Sequence, residues 1–128
     1  MKCLILLFMI FCHIVDDYYL QGWLASAKQK EWWQKNAPQE LYKYDYIMAL
    51  FMHSFSWSFM ILLPLVVSTI LSNGQWYSEL YYMFFICNMT IHGIVDDMKA
   101  NQKWINLIQD QMIHLVQIII TWLLWVSL

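Results

Sequence analysis

The sequence predicts an all-α fold, a membrane-spanning four-helix bundle of up-down topology with an interfacial segment between the first and second helices. Three observations carry this expectation. Hydrophobic residues make up 61% of the 128-residue chain and charged residues only 12%, half the share usual in a soluble domain. Four apolar runs each reach the ~20 residues that a helix needs to cross a bilayer. None alternates with period two, and a barrel needs more segments than four.

The spans are expected at about 2–21, 44–71, 76–99 and 104–128, all within one domain covering residues 1–128. The start, Met1–Cys12, imitates a signal peptide. Ile10-Phe11 before Cys12 lacks the small residues that a signal or lipoprotein peptidase requires, so a retained first span is expected. Pro64 is expected to kink the second helix rather than end it, because apolar residues continue to Leu71. Ser72-Asn73-Gly74-Gln75 reads as a tight turn, and Ala100-Asn101-Gln102 as the turn into the fourth helix. Short connections make neighbouring helices antiparallel.

The one long connection, 22–43, intersperses Trp23, Trp32 and Trp33 with lysines. That pattern suits a segment lying among lipid headgroups better than a plain loop. Lys28, Lys30, Lys35, Lys43, Lys99 and Lys103 fall on the side of the first and third connections, against Lys2 alone on the other. The positive-inside rule therefore places the long loop in the cytoplasm and both termini outside. All seven basic residues are lysines, the net charge is −2, and no basic run suggests a nucleic-acid partner. Cys3, Cys12 and Cys87 lack metal-type spacing and read as packing residues.

Candidate functional residues repeat at helical spacing. His13, Asp17 and Gln21 share one helix face at i, i+4 and i+8; His92 and Asp96 share another; Asp110 and His114 repeat the device in reverse; His53 stands alone in the second span. Counting 1.5 Å per residue from the cytoplasmic helix ends puts His13 about 12 Å deep, His53 about 13 Å, His92 about 10 Å and His114 about 15 Å. The carboxylates are shallower, Asp17 at about 6 Å, Asp96 at about 5 Å and Asp110 at about 9 Å. All four histidines thus fall in one layer of the cytoplasmic leaflet.

A buried carboxylate in a membrane must be compensated, and a metal ion does so by binding carboxylate and neutral imidazole directly. The expected metal ligands are His13, Asp17, His53, His92, Asp96, Asp110 and His114. They suffice for one or two divalent ions, zinc first, with manganese or iron as alternatives. Asp17 and Asp96 are the candidate catalytic residues, as bridging ligand or base, and Gln21, Asn88, Lys99 and Gln111 are candidate second-layer or substrate contacts. Asp16 and Asp97 point about 100° from their neighbours on an α-helix and read as interfacial or capping residues, though either can exchange roles with its neighbour. Hydrogen-bonded His–Asp pairs acting as interhelical glue, and haem ligation, are the competing readings.

The ordered set H-x-x-x-D-x-x-x-Q, a histidine alone in the second span, H-x-x-x-D-x-x-K and D-Q-x-x-H resembles the small bacterial and phage membrane proteins grouped as the domain of unknown function 3307 family. The matching residues are His13, Asp17 and Gln21; His53; His92, Asp96 and Lys99; and Asp110, Gln111 and His114, with Lys28 also fitting. The resemblance spans all four segments. It implies an integral protein of a bacterial inner membrane or a phage-infected host membrane, and no established reaction. It also implies a second histidine in the second span, where this chain has Ala49 and Trp57 one turn either side of His53.

The function expected from these residues is a metal-dependent membrane hydrolase acting on a lipid-linked or amphipathic substrate near the cytoplasmic leaflet. The alternatives are a metal or proton transporter and a metal-stabilised scaffold without catalysis. The bilayer is the one partner expected with either.

Overall fold

The computed structural model describes residues 2–72 and 78–127, and every regular element among them is helical. Helix α1 spans Lys2–Ile14 and runs on into a π-helical turn, Val15–Leu20. Two short helices follow, α2 at Leu24–Ala27 and α3 at Lys30–Asn36, then a 3-10 turn at Glu40–Tyr42. The long helices are α4 at Asp45–Leu71, α5 at Ser78–Ala100 and α6 at Leu107–Val126.

Local chemistry sets these limits. Gly22 ends the first helical stretch by taking the left-handed conformation, φ 47°, which costs a glycine little. Helix α4 continues through Pro64, as its apolar run predicted. Asn106 caps α6 in a capping box with Gln109, which satisfies backbone donors that a helix start leaves free. The turn expected at Ser72-Asn73-Gly74-Gln75 lies largely outside the described residues.

Helix α1 packs on α4 and α6, α4 on α5, and α5 on α6. Their contacts run in opposite directions. His13 meets Trp57 while Asp16 meets Ser56 across α1 and α4, and Asn88 meets Gln117 while Lys99 meets Asp110 across α5 and α6. Lys2 Nζ donates to the Val126 carbonyl at 2.9 Å, joining the start of α1 to the end of α6. The apolar core is Met9, Trp57, Ile61, Leu62, Leu65, Phe84 and Ile118.

Among the described residues, three helical stretches are long and apolar enough to cross a membrane: Lys2–Leu20, Glu40–Leu71 and Leu107–Val126. Helix α5, 23 residues long, is not among them. Asn88, His92, Asp96, Asp97 and Lys99 dilute its apolar content, and of these Asn88, His92 and Asp96 point into the protein. Outward-facing side chains such as Leu7, Phe8, Phe11, Met48, Phe51 and Ile120 are large, apolar and exposed, as a lipid-facing surface requires.

The connection 22–43 departs from a single interfacial helix. Its tryptophans do gather: Trp32 and Trp33 lie edge to face at 5.0 Å, with Trp23 against both. Between α2 and α3, however, the chain turns inward and buries Ala27 and Lys28. Asn101 holds it there, donating to the Lys28 carbonyl at 3.0 Å and accepting from the Lys30 amide at 2.7 Å.

Candidate metal centre

The polar layer begins at the π-helical turn of α1. The Gln21 amide reaches back to the Asp16 carbonyl at 3.1 Å, five residues rather than four, so the turn is wider than an α-turn. This widening buries two adjacent aspartates together, with Asp16 1% and Asp17 6% exposed. Asp16 therefore faces the protein interior, against the expectation that it would lie at the interface. Asp97 does act as a turn residue, accepting from Asn101 Nδ2 at 2.8 Å and Gln102 Nε2 at 3.1 Å.

The four histidines expected in one layer do converge. His53 lies 5.0 Å from His92, His92 stacks on His114 at 4.2 Å, and His13 lies 5.9 Å from His114, ring centre to ring centre. Trp57 stacks on His92 at 4.1 Å and fixes its ring plane. His53, His92, His114, Asp96 and Asp110 are wholly buried.

All four imidazoles face carboxylates across short gaps, His13 Nδ1 lying 3.7 Å from Asp17 Oδ2. His53 Nε2 is 3.2 Å from Asp17 Oδ1 and 3.4 Å from Asp96 Oδ2. His92 Nε2 is 3.8 Å from Asp96 Oδ2 and 4.0 Å from Asp17 Oδ1. His114 Nε2 is 3.5 Å from Asp96 Oδ1 and 3.4 Å from Asp110 Oδ1. A tetrahedral ion with bonds of about 2.0–2.1 Å holds its ligand atoms about 3.3 Å apart, so these gaps match ligands that share an ion. Among the described residues two groups of three could hold an ion, Asp17 with His53 and His92, and His92 with Asp96 and His114; within each, the ligand atoms lie within 4.8 Å of one another. Each group is two histidines and one carboxylate, a donor set that suits zinc or iron.

The same atoms lack other partners. Both ring nitrogens of His53, His92 and His114, together with Asp16 Oδ2, Asp17 Oδ1, Asp96 Oδ1 and Asp110 Oδ1, are buried without a hydrogen bond. Native proteins keep few such groups, because each one buried unsatisfied costs about 1–3 kcal/mol. Ten of them in one layer form a cluster that could hold a metal ion.

His13 sits beside both groups rather than in either. Trp57 Nε1–H donates to His13 Nδ1 at 2.8 Å. The proton of the neutral ring therefore sits on Nε2, which donates to Gln111 Oε1 at 3.1 Å. The Gln111 amide nitrogen then donates to Asp17 Oδ2 at 3.1 Å and Asp110 Oδ2 at 3.0 Å. Both ring nitrogens of His13 are thus engaged, and neither His13 nor Asp110, both expected as ligands, belongs to either three-residue group.

Two lysines enter the layer. Lys28 Nζ pairs with Asp96 Oδ2 and Lys99 Nζ with Asp110 Oδ2, each at 2.5 Å. Lys99 therefore does more than reach for the interface. Gln21 bonds the Asp17 main chain, not its carboxylate. Asn88 lies outside the layer, where Gln117 Nε2 at 2.9 Å and Thr121 Oγ1 at 3.1 Å donate to its Oδ1 and lock α5 to α6. Asp16, Ser56 and Trp57 are site residues that spacing did not reveal; the one signal for Asp16 was its place beside Asp17. Comparison with protein-family models, curated proteins and solved structures finds no match.

Proposed function

We propose that the chain is an integral membrane protein of four spanning helices that holds a divalent metal ion, zinc first, at the layer of Asp17, His53, His92, Asp96 and His114. The long connection lies in the cytoplasm, and the resemblance to the domain of unknown function 3307 family is taken as kinship. The observation that carries this reading is the set of ten buried imidazole and carboxylate atoms that face one another without a hydrogen bond.

Charge supports it and favours one ion over two. Of the buried carboxylates Asp16, Asp17, Asp96 and Asp110, Asp96 pairs with the Lys28 ammonium and Asp110 with that of Lys99. Counted formally, with every histidine a neutral ligand, four carboxylates against two ammonium groups leave two negative charges, which one divalent ion neutralises. Uncompensated buried charge is costly enough for that balance to matter.

We propose further that the protein is a hydrolase acting on a lipid-linked or amphipathic phosphoryl or acyl ester. A divalent ion at this depth would polarise such an ester and acidify a water molecule. Asp17 and Asp96 flank the ion as base or ligand, Lys28 and Lys99 supply positive charge for the substrate's oxygens, and Gln111 orients Asp17. Passage through the protein is a weaker reading, because Met9, Ile61, Leu62 and Leu65 are wholly buried and apolar beyond the layer, and the buried polar groups there, Asn88, Gln117 and Thr121, bond to one another. The burial of the site itself favours the second reading, a metal-stabilised scaffold without catalysis. Zinc-loaded and chelator-stripped protein in vesicles carrying phosphoryl and acyl ester lipids separates the two. Hydrolysis by the loaded protein, lost on stripping and in Asp96→Asn, is expected. No product from any of these lipids with zinc bound would leave the scaffold.

A further inference from the structure

Asp16, like Asp110, is a buried carboxylate that neither three-residue group contains, and its surroundings give it a partner. Its Oδ1 accepts from Ser56 Oγ at 2.5 Å. Its Oδ2 is buried without a hydrogen bond and lies 3.7 Å from His53 Nδ1. On the far side of the same ring, Nε2 faces Asp17 Oδ1 at 3.2 Å and Asp96 Oδ2 at 3.4 Å. One imidazole thus stands between two aspartates adjacent in sequence, one at each nitrogen. An α-turn would separate their directions by about 100°; the π-helical turn Val15–Leu20 buries both.

Resting on the metal reading above, we propose that Asp16 is the positioning residue for His53. It holds the Nδ1–H, fixes the tautomer, and presents the Nε2 lone pair to the ion beside Asp17. A neutral imidazole carries one ring proton, and a carboxylate at Nδ1 selects that site for it. The Asp16–His53 gap needs to close by about 0.8 Å to reach hydrogen-bond distance. Ser56 clamps the other carboxylate oxygen and sets the angle of approach. Such carboxylate–histidine–metal arrangements orient the ring and raise its basicity, and their loss weakens metal affinity roughly 10–100-fold.

The test is zinc affinity of the full chain in detergent, measured by competition with a chromophoric chelator. Asp16→Ala is expected to weaken zinc roughly 10–100-fold. Asp16→Asn, which keeps the size and one acceptor oxygen, is expected to weaken it less, and it carries the test if the alanine variant does not accumulate. Because Asp16 acts through His53, the same substitution made in His53→Ala should cost less than about twofold, a coupling that a purely structural role would not produce. If the parent binds zinc and both Asp16 variants keep its affinity, or if the loss is undiminished in His53→Ala, the role of Asp16 is overturned and the metal reading stands. A parent chain that binds no zinc overturns both.

Discussion

Removing the Lys28 ammonium should be the most damaging single change available in the long connection. Lys28 Nζ lies 2.5 Å from Asp96 Oδ2, with side chains 7% and 0% exposed. Replacing it with methionine keeps most of the side-chain bulk and leaves Asp96 buried beside no cation. Breaking a buried pair from one side costs about 3–5 kcal/mol, because the remaining charge is uncompensated. At about 4 °C per kcal/mol for a domain of this size, the melting midpoint should fall by roughly 12–20 °C. The measurement is thermal unfolding in detergent with chelator present, so that no ion offsets the change. Adding Asp96→Asn to Lys28→Met should recover a large part of the loss, since the double variant removes the charge that Lys28 had paired. A midpoint for Lys28→Met within about 3 °C of the parent would refute the reasoning, and Lys28 would then be an ordinary loop lysine.

Two further substitutions probe the frame of the layer. A Cβ added at Gly93 would lie 2.9 Å from Ser54 Oγ, so Gly93→Ala should cost about 1–3 kcal/mol through overpacking between α4 and α5. Ser54→Ala removes that oxygen and should restore most of the loss in the same melting experiment. Trp57→Phe keeps a ring against His92 but removes the donor to His13 Nδ1. It should lower stability by about 1–3 kcal/mol, and nitrogen NMR should show the His13 tautomer no longer fixed.

Much of the helical frame was legible because apolar runs of membrane length are hard to mistake. Helices α4, α5 and α6 begin and end within a few residues of the expected spans, and α1 does so with its π-helical turn, although α5 is not among the stretches apolar enough to cross a membrane. The convergence of histidines was legible too, since depth along a helix follows from residue count alone. Other features were hidden for physical reasons. A π-turn depends on how backbone hydrogen bonds settle around buried groups, so periodicity placed Asp16 on the wrong side. The inward turn at Lys28 depends on Asn101, 73 residues away, and no local pattern announces it. His13 looked like a ligand by spacing, but the indole of Trp57, four residues beyond His53, occupies its Nδ1. Spacing fixes which residues meet, whereas the assignment of each nitrogen depends on donors from other helices.

The central claim is that this layer holds one divalent ion, and elemental analysis of detergent-purified chain tests it most directly. The account predicts about one divalent ion per chain, zinc first, by the charge balance of the layer. It also predicts loss of that ion in His92→Ala, because His92 belongs to both ligand groups. A metal-free chain whose stability is the same with and without chelator would contradict it, and the buried histidines and aspartates would then be interhelical hydrogen-bonding groups alone.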